Sequence, residues 1–536
     1  MIERQSSNHS GISAGLRSLL KPMVKEDELG LLIEAVVQSW HSQHLSVDLE
    51  AVPTGIEEGR WPSLVQWQEW LKPIASDETS DFLTRPFLFR QGRYLSFQRH
   101  AIQEQKLAAA LLAKHKLPTD RVWSKLCEER QLDRSVRKAF RILHEQGLLV
   151  IAGGPGTGKS WLALNILQSI QQRAPELNPL VLAPTGKAAA RLNEELPGNS
   201  TDLFYAPLRA MTLHRFLYDH HARIQATGLV VVDECSMIDL PHMTRLMEAL
   251  PNEARLVLIG DPQQLASVEP GAFFLDLVKT AQAGHLPWRH QLLELVESHR
   301  FGPESGIGRL AEGIRVDRRE IREPRFFAEA GPDLEAVWLD DQRALRKLWE
   351  EIVGHFSSLT RAKSVDDALA LLSRQRVLSP FRKGPWGSTA INGRLHQMLL
   401  RSGVARFLPV VCLRNHRDLD INNGDAGVMD LQGGKVCYFR RGDGVVAAPL
   451  GAMSEVQEAF ALSVHASQGS EFEHAIFILP GYDAPHITKE LIYTAVTRAR
   501  TRLSLILDKR SWEVALDRST QRLSLFADEL VAAAEA

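Results

Sequence analysis

The segment Gly147–Ser160, GLLVIAGGPGTGKS, constrains the fold of this chain more than any other. Its apolar run predicts a buried strand, Gly153-Gly154-Pro155-Gly156-Thr157-Gly158 a tight loop, and Ser160–Arg173 a helix. Glycine-rich backbone can close its N–H groups around phosphate oxygens, and the helix N-terminus adds partial positive charge there. In that frame Lys159 would bridge the β- and γ-phosphates of a nucleotide, and the Ser160 hydroxyl would hold Mg²⁺.

A strand, loop and helix of this kind belong to a parallel α/β sheet, and the flanking sequence continues the alternation. Leu180–Ala183 reads as a strand followed by the helix Lys187–Leu196, and Gly228–Val232 and Arg255–Ile259 read as two further strands. Short apolar strands alternating with helices predict a doubly wound sheet. Residues 193–211 carry Pro, Gly and Asn and read as a short insertion. A second α/β pattern runs through Arg376–Pro380, Ala475–Pro480 and Leu503–Leu507. Within it, residues 405–458 switch to short β-like runs separated by NNGD, QGG and RGDG turns, which predicts a small inserted β-barrel.

The chemistry-bearing residues sit at the ends of these strands. Asp233-Glu234 follows LVVV: one carboxylate can complete a Mg²⁺ site through water, and its neighbour can polarise an attacking water as general base. Alone, an Asp-Glu after a strand is a helix cap; behind a phosphate loop the catalytic reading prevails. Gln264, in GDPQQL after the next strand, is placed to sense a γ-phosphate. Arg300 in ESHRFG and Arg498 in YTAVTRAR are candidate arginine fingers, since phosphoryl transfer gains roughly 10³–10⁵ from a well-placed guanidinium. Each taken singly would be a surface or salt-bridge arginine.

Composition bounds the rest. At 536 residues the chain is too long for one core, and its apolar fraction of 44% and charged fraction of 24% fit a globular protein of several domains. A net charge of −2 gives no sign of nucleic-acid binding, although one channel can be basic while the whole is balanced. No apolar run reaches bilayer length, so no membrane association is expected. The start shows no apolar signal core. Cys127, Cys235, Cys412 and Cys437 are scattered without a Cys-x-x-Cys pair, which argues against zinc or an iron–sulfur cluster and fits a reducing cytoplasm. Trp61, Trp67 and Trp70 in the first hundred residues read as aromatic packing in a small domain, with a docking surface as the sharper alternative.

In order, GGPGTGKS, APTGKAAARL, TLHRFL, VVVDECSMIDLP, LIGDPQQLASVEPGA, SHRFGPESGIGRLA, SVHASQGSEF and YTAVTRAR resemble the motor motifs of superfamily-one helicases over about residues 120–510. Within them the pattern is similar to the RecD type, the alpha subunit of exodeoxyribonuclease V (the RecBCD enzyme). The resemblance implies α/β architecture with two RecA-like motor domains, ATP between them, and single-stranded DNA across the top, traversed 5′ to 3′. It carries ATPase roles to Lys159, Ser160, Asp233, Glu234, Gln264, Arg300 and Arg498, with Mg²⁺ at Ser160 and Asp233. It places Thr185, Thr212, His214, His465 and Ser467 in DNA-touching motifs, and Asn423-Gly424-Asp425 in the barrel insertion. Trp386, in KGPWGST, is a candidate base-stacking residue by its chemistry, with a packed aromatic in a Gly/Pro turn as the equal alternative.

The expected domains are 1–115 for partner docking, 116–298 as the first motor and 299–536 as the second. Three positions depart from the pattern: Val136 where such helicases carry an adenine-reading glutamine, Ala466 where many have lysine, and Cys235 in DECS. No nuclease constellation is visible, because Asp340-Asp341 and Asp366-Asp367 fall in helical, solvated stretches. The resemblance therefore implies a helicase subunit acting on duplex DNA ends with RecB-like and RecC-like partners, one of which cuts. A stand-alone helicase is the alternative, disfavoured by the short N-terminal region; a P-loop switch without translocation is disfavoured by the second motor pattern.

Overall fold

The computed structural model describes residues 13–535 with interruptions, the longest at 77–84, 197–207 and 220–226. Six parallel strands build the first core, in the spatial order Leu292–Leu295, Leu148–Gly153, Arg255–Gly260, Leu229–Val232, Leu180–Ala183, Ala210–Thr212. Their side chains alternate between two apolar layers. Val150, Val230 and Leu258 enter one layer, whereas Leu149, Val231 and Val257 enter the other. A parallel sheet covered on both faces demands such uninterrupted apolar runs, and each fully buried Leu, Ile or Val contributes about 1.5–3 kcal/mol.

A second core repeats the plan with five parallel strands, ordered Leu334–Trp338, Ala499–Leu507, Phe472–Leu479, Gln375–Ser379, Ala461–Ser463. Here Ala475, Phe477 and Leu503 face one layer, and Ile476, Ile478 and Ile506 the other. Between its neighbouring strands Gln375–Ser379 and Ala461–Ser463 the chain leaves to form a separate antiparallel sheet of five strands. These run Gly444–Pro449, Val436–Arg441, Ala426–Asp430, Phe407–Cys412, Val456–Glu458 across the sheet, over a small cluster that includes Val410, Cys437 and Phe439. The described pairings make an open ladder; closure into a barrel is not among them.

Within the two parallel sheets, the strands Ala210–Thr212, Leu292–Leu295, Leu334–Trp338 and Ala461–Ser463 were not foreseen from the sequence. The insertion foreseen at 193–211 is also narrower than expected. Its helix runs to Glu195 and the next strand starts at Ala210, tied by Asn193, whose side chain pairs with both backbone groups of Ala210 at 3.0 and 2.8 Å. The intervening 197–207 lie outside the described residues.

The N-terminal unit has its own four-stranded sheet and apolar cluster. Trp67 is fully buried between Trp61 and Trp70, with ring centroids 5.0 and 5.5 Å away, so the three tryptophans pack the interior. Two helices cross the expected domain limits. Gln98–His115 delivers Leu107, Ala108 and Leu111 to the first core, and Phe526–Glu535 delivers Phe526 and Leu530 to that same layer. The indole N–H of Trp288 donates to Leu530 O at 3.0 Å, which anchors this last helix. The chain therefore passes between the cores twice, once near Ser298–Ser305 and again through 518–525. Arg522 secures the second passage by donating to Glu269 O at 3.0 Å, Gly271 O at 2.7 Å and the Gln43 side chain.

Candidate functional site

The phosphate loop forms as its residues predict. Gly156 (φ +72°) and Gly158 (φ +87°) hold backbone conformations that side chains rarely adopt, and Gly158 caps the helix Lys159–Arg173. Thr157 Oγ1 donates to Gly154 O at 2.9 Å, and Lys159 Nζ lies 2.7 Å from both Gly153 O and Gly154 O, folded onto its own loop. The loop is braced from outside. His299 N donates to Gly156 O at 2.8 Å and Ser298 Oγ to Pro155 O at 3.3 Å, so the first interdomain passage begins against the phosphate loop.

Two neighbouring strands of the first sheet present polar residues at the same edge, where ligands bind in open α/β sheets. Asp233 follows Leu229–Val232 and receives the Glu234 N–H at 2.9 Å, with Glu234 at φ +52°. Burial, then the charge of Glu234, push the Asp233 carboxyl well above the usual carboxylate range, against the opposing pull of Lys159 and Arg191. Asp261 follows Arg255–Gly260 and is fully buried; burial raises it, and Lys159 is the strongest opposing charge. Its carboxylate accepts from Gln264 Nε2 at 3.1 Å, Tyr493 Oη at 3.2 Å and Gln263 N at 3.0 Å. Gln264 is thus held inside the cleft by Asp261.

The second core closes the cleft through the helix Lys489–Val496 and the residues just ahead of two strands. Thr494 Oγ1 accepts the Leu265 N–H at 2.9 Å, and Gln468 Nε2 donates to Leu265 O at 3.0 Å, so the segment carrying Gln264 is bonded to the second core on both sides. Arg498 is buried. Its guanidinium donates to Thr494 O at 3.1 Å and Ser470 O at 3.2 Å, and burial lowers its pKa while Glu234, Glu471 and Asp261 oppose that. Arg300 Nη2 donates to Glu471 Oε1 at 2.6 Å. A cavity of about 410 Å³ opens beside these groups, lined by Gly154, Asp261, Ser298, Arg309, Glu312 and Tyr493 among others.

Lys159, Asp233, Glu234, Gln264, Arg300 and Arg498 therefore converge on one cleft. Reading the sequence missed Asp261, Tyr493, Thr494 and Glu471. Tyr493 and Thr494 lie in a helix whose residues 491–496 are all buried, and a polar pair in such a run was the available signal. Val136, at the position of the expected adenine-reading glutamine, is buried in the helix Arg134–Gln146 as an apolar packing residue.

The residues proposed to touch DNA divide by accessibility. His214 and His465 are exposed, with the His214 ring 4.4 Å from that of His242. Thr185 and Thr212 use their hydroxyls locally, accepting Ala188 N and Arg215 N at 3.2 Å each. Ser467 is fully buried and donates to Val464 O at 2.7 Å. Trp386 packs against the second core with Arg394 5.5 Å over its ring. The inserted sheet leans on the first core: Asn422, in the turn before Gly424, lies where a Cβ on Gly186 would approach to 2.2 Å, and Gly442 N donates to Glu194 Oε1 at 3.2 Å. Lys187, on the first core, reaches the Ser470 hydroxyl of the second core. Asp341 and Asp366-Asp367 serve helix starts, as expected of solvated carboxylates.

Residues 131–331 match the model of an AAA domain, and residues 458–506 match a UvrD-like helicase C-terminal domain. The chain is 32% identical over 530 residues to the RecBCD enzyme subunit RecD of Mycolicibacterium smegmatis, covering 92% of each protein. It is 31% identical over 541 residues to the protein of that description from Mycobacterium tuberculosis, covering 93% of this chain and 90% of that one. The ATP-dependent RecD2 DNA helicase of Deinococcus radiodurans is 29% identical over 392 residues, covering 70% of this chain and 49% of that protein.

Proposed function

The chain belongs to the RecD family of RecBCD enzyme subunits, and from that premise we propose an ATP-dependent DNA helicase whose two cores share one nucleotide cleft. The observation that carries this reading is the double attachment of Leu265 to Thr494 and Gln468 beside Asp261 and Gln264. A nucleotide held by the first core can thereby pull on the second, which a nucleotide switch with one core cannot do. In this reading Lys159 leaves its loop carbonyls for the phosphates, Glu234 orients the attacking water, and Arg300 and Arg498 offset charge on the transferring group.

Mg²⁺ fits the residues present. Asp233 is a buried acid beside a second acid, and a divalent cation would relieve that repulsion. Among the described residues no group of three or more His, Cys, Asp and Glu is gathered to hold an ion. That suits Mg²⁺, which is commonly bound by one or two protein oxygens plus substrate phosphates. Ser160 and Asp233 would supply those oxygens, and the ion would neutralise phosphate charge.

The finer reading is a RecBCD-like complex with RecB-like and RecC-like partners, loading on the 5′-ended strand of a duplex end and moving 5′ to 3′ in double-strand-break repair. The nuclease would reside in a partner. Domains are proposed at 1–115, 116–298 and 299–536, with helices Gln98–His115 and Phe526–Glu535 assigned to the first motor core. Unwinding of tailed duplexes tests the reading: activity from a 5′ tail, stimulated with ATP hydrolysis by single strands, is expected. Hydrolysis indifferent to DNA would sink the motor, and unwinding only from a 3′ tail would sink the polarity.

A further inference from the structure

The Arg300 side chain is fixed at both ends. Its backbone follows His299, whose N–H is bonded to Gly156 O at 2.8 Å, and a Cβ on Gly156 would come within 2.3 Å of Arg300 Cβ. Its head meets Glu471, the residue immediately ahead of the strand Phe472–Leu479. The Glu471 carboxylate is 11% exposed and serves three arginines from three places. Arg300 Nη2 lies at 2.6 Å, Arg500 Nε from the second core at 3.0 Å, and Arg191 Nη1 from the first core's helix Gly186–Glu195 at 3.6 Å. Burial opposes ionisation of Glu471, yet Arg191 and Arg300 hold its pKa down to about 2, so it stays charged throughout the working range.

One guanidinium nitrogen is left over. Arg300 Nη1 is buried and has no hydrogen-bond partner. A buried N–H without an acceptor is costly and rare unless a ligand supplies one. Glu195 pairs with Arg191 at 3.2 Å, so three guanidiniums against two carboxylates leave one positive charge in excess beside the phosphate loop, which favours an anion there.

We propose that Glu471 is the positioning residue of the arginine finger: it holds the Arg300 guanidinium through Nη2 and so leaves Nη1 for the γ-phosphate of a bound nucleotide. This rests on the reading of Arg300 as a finger. Because Glu471 precedes a second-core strand, the finger is aimed only when the second core is seated on the first. Hydrolysis is thereby tied to cleft closure without Glu471 touching the nucleotide.

The test is a double-mutant cycle on the full chain with ATP and a poly-dT strand, using R300A, E471Q and R300A/E471Q. R300A should slow hydrolysis by roughly 10³-fold. E471Q should lower kcat on the order of 10- to 100-fold, the scale of a misplaced catalytic group, with KM for ATP changed less than about 2-fold. The double variant should be no slower than R300A. A wild-type kcat in E471Q, with R300A slow, overturns the proposal and leaves the finger standing. A wild-type rate in R300A removes the finger itself. Independent losses that multiply in the double variant also overturn the proposal. E471D keeps the charge but retracts the carboxylate, and stands in if E471Q does not fold: a lowered kcat at unchanged KM, absent on the R300A background, supports the proposal, and a wild-type kcat overturns it.

Discussion

The two motor cores are built from one kind of sheet and use opposite edges of it. The first core presents the C-terminal ends of its strands, where the phosphate loop, Asp233 and Asp261 stand. The second core's strand Ala499–Leu507 ends at Asp508, which caps the helix Lys509–Asp517 by accepting Ser511 N at 2.8 Å. It contributes instead from positions ahead of its strands, Ser470, Glu471 and Arg498, and from the helix bearing Tyr493 and Thr494. Parallel sheets of six and of five strands thus offer different edges to the cleft, and in the proposed reading the first core is the holder of the nucleotide and the second its trigger.

The sharpest way to break that division is to compare Lys159→Ala with Arg498→Ala. The first should abolish hydrolysis and weaken nucleotide binding; the second should slow hydrolysis roughly 10³-fold while a fluorescent ATP analogue still binds within a few-fold. Equal loss of binding in both would erase the distinction between holder and trigger. At the level of stability, Trp288→Ala in the first core and Trp512→Ala in the second each remove a fully buried indole. Each should cost about 3–5 kcal/mol in denaturant unfolding. Limited proteolysis should then cut the core that carries the substitution.

A smaller contrast is set by acid. His474, at the start of a second-core strand, is held down to about 4 by burial and then by Arg502, with Nε2 2.9 Å from Ser504 Oγ. It stays neutral in the fold while the unfolded chain takes its proton near 6.5. Its share of stability is therefore complete above about pH 6.5 and lost as pH falls toward 4, by at most roughly 3 kcal/mol. Melting of His474→Gln should show a shallower acid slope; an unchanged slope would assign the acid lability elsewhere. Smallest of all, Thr494→Val removes the acceptor of Leu265 N and should weaken communication between cores by about 1–2 kcal/mol. The ratio of ATPase rates with and without poly-dT reads that loss.

Much of the first core was legible because the physics there is local. Buried parallel strands write unbroken apolar runs, and a loop that wraps phosphate has to contain Gly156 and Gly158 at left-handed φ. The inserted sheet was legible through its turns. What escaped reading is long-range or very short. Glu471 meets Arg300 across 171 residues, and no property of either segment announces the pairing. Ser467 stands in a DNA-touching motif by resemblance, yet it lies fully buried in the fold. The strand Ala461–Ser463 is too brief to show a period, and the helix Phe526–Glu535 gives no hint of which core its apolar face will cover.

That last helix bears on how the molecule is made. The first core is translated early, but the apolar layer that includes Val150, Leu246 and Leu277 is completed only by Phe526 and Leu530. Until the ribosome has delivered those residues, a greasy groove between the helices Gln98–His115 and Phe273–Gln282 stands open to water. The nascent protein therefore carries an aggregation-prone, half-finished motor through synthesis of its whole second half. Delivering the helix Phe526–Glu535 and finishing the first core are one event.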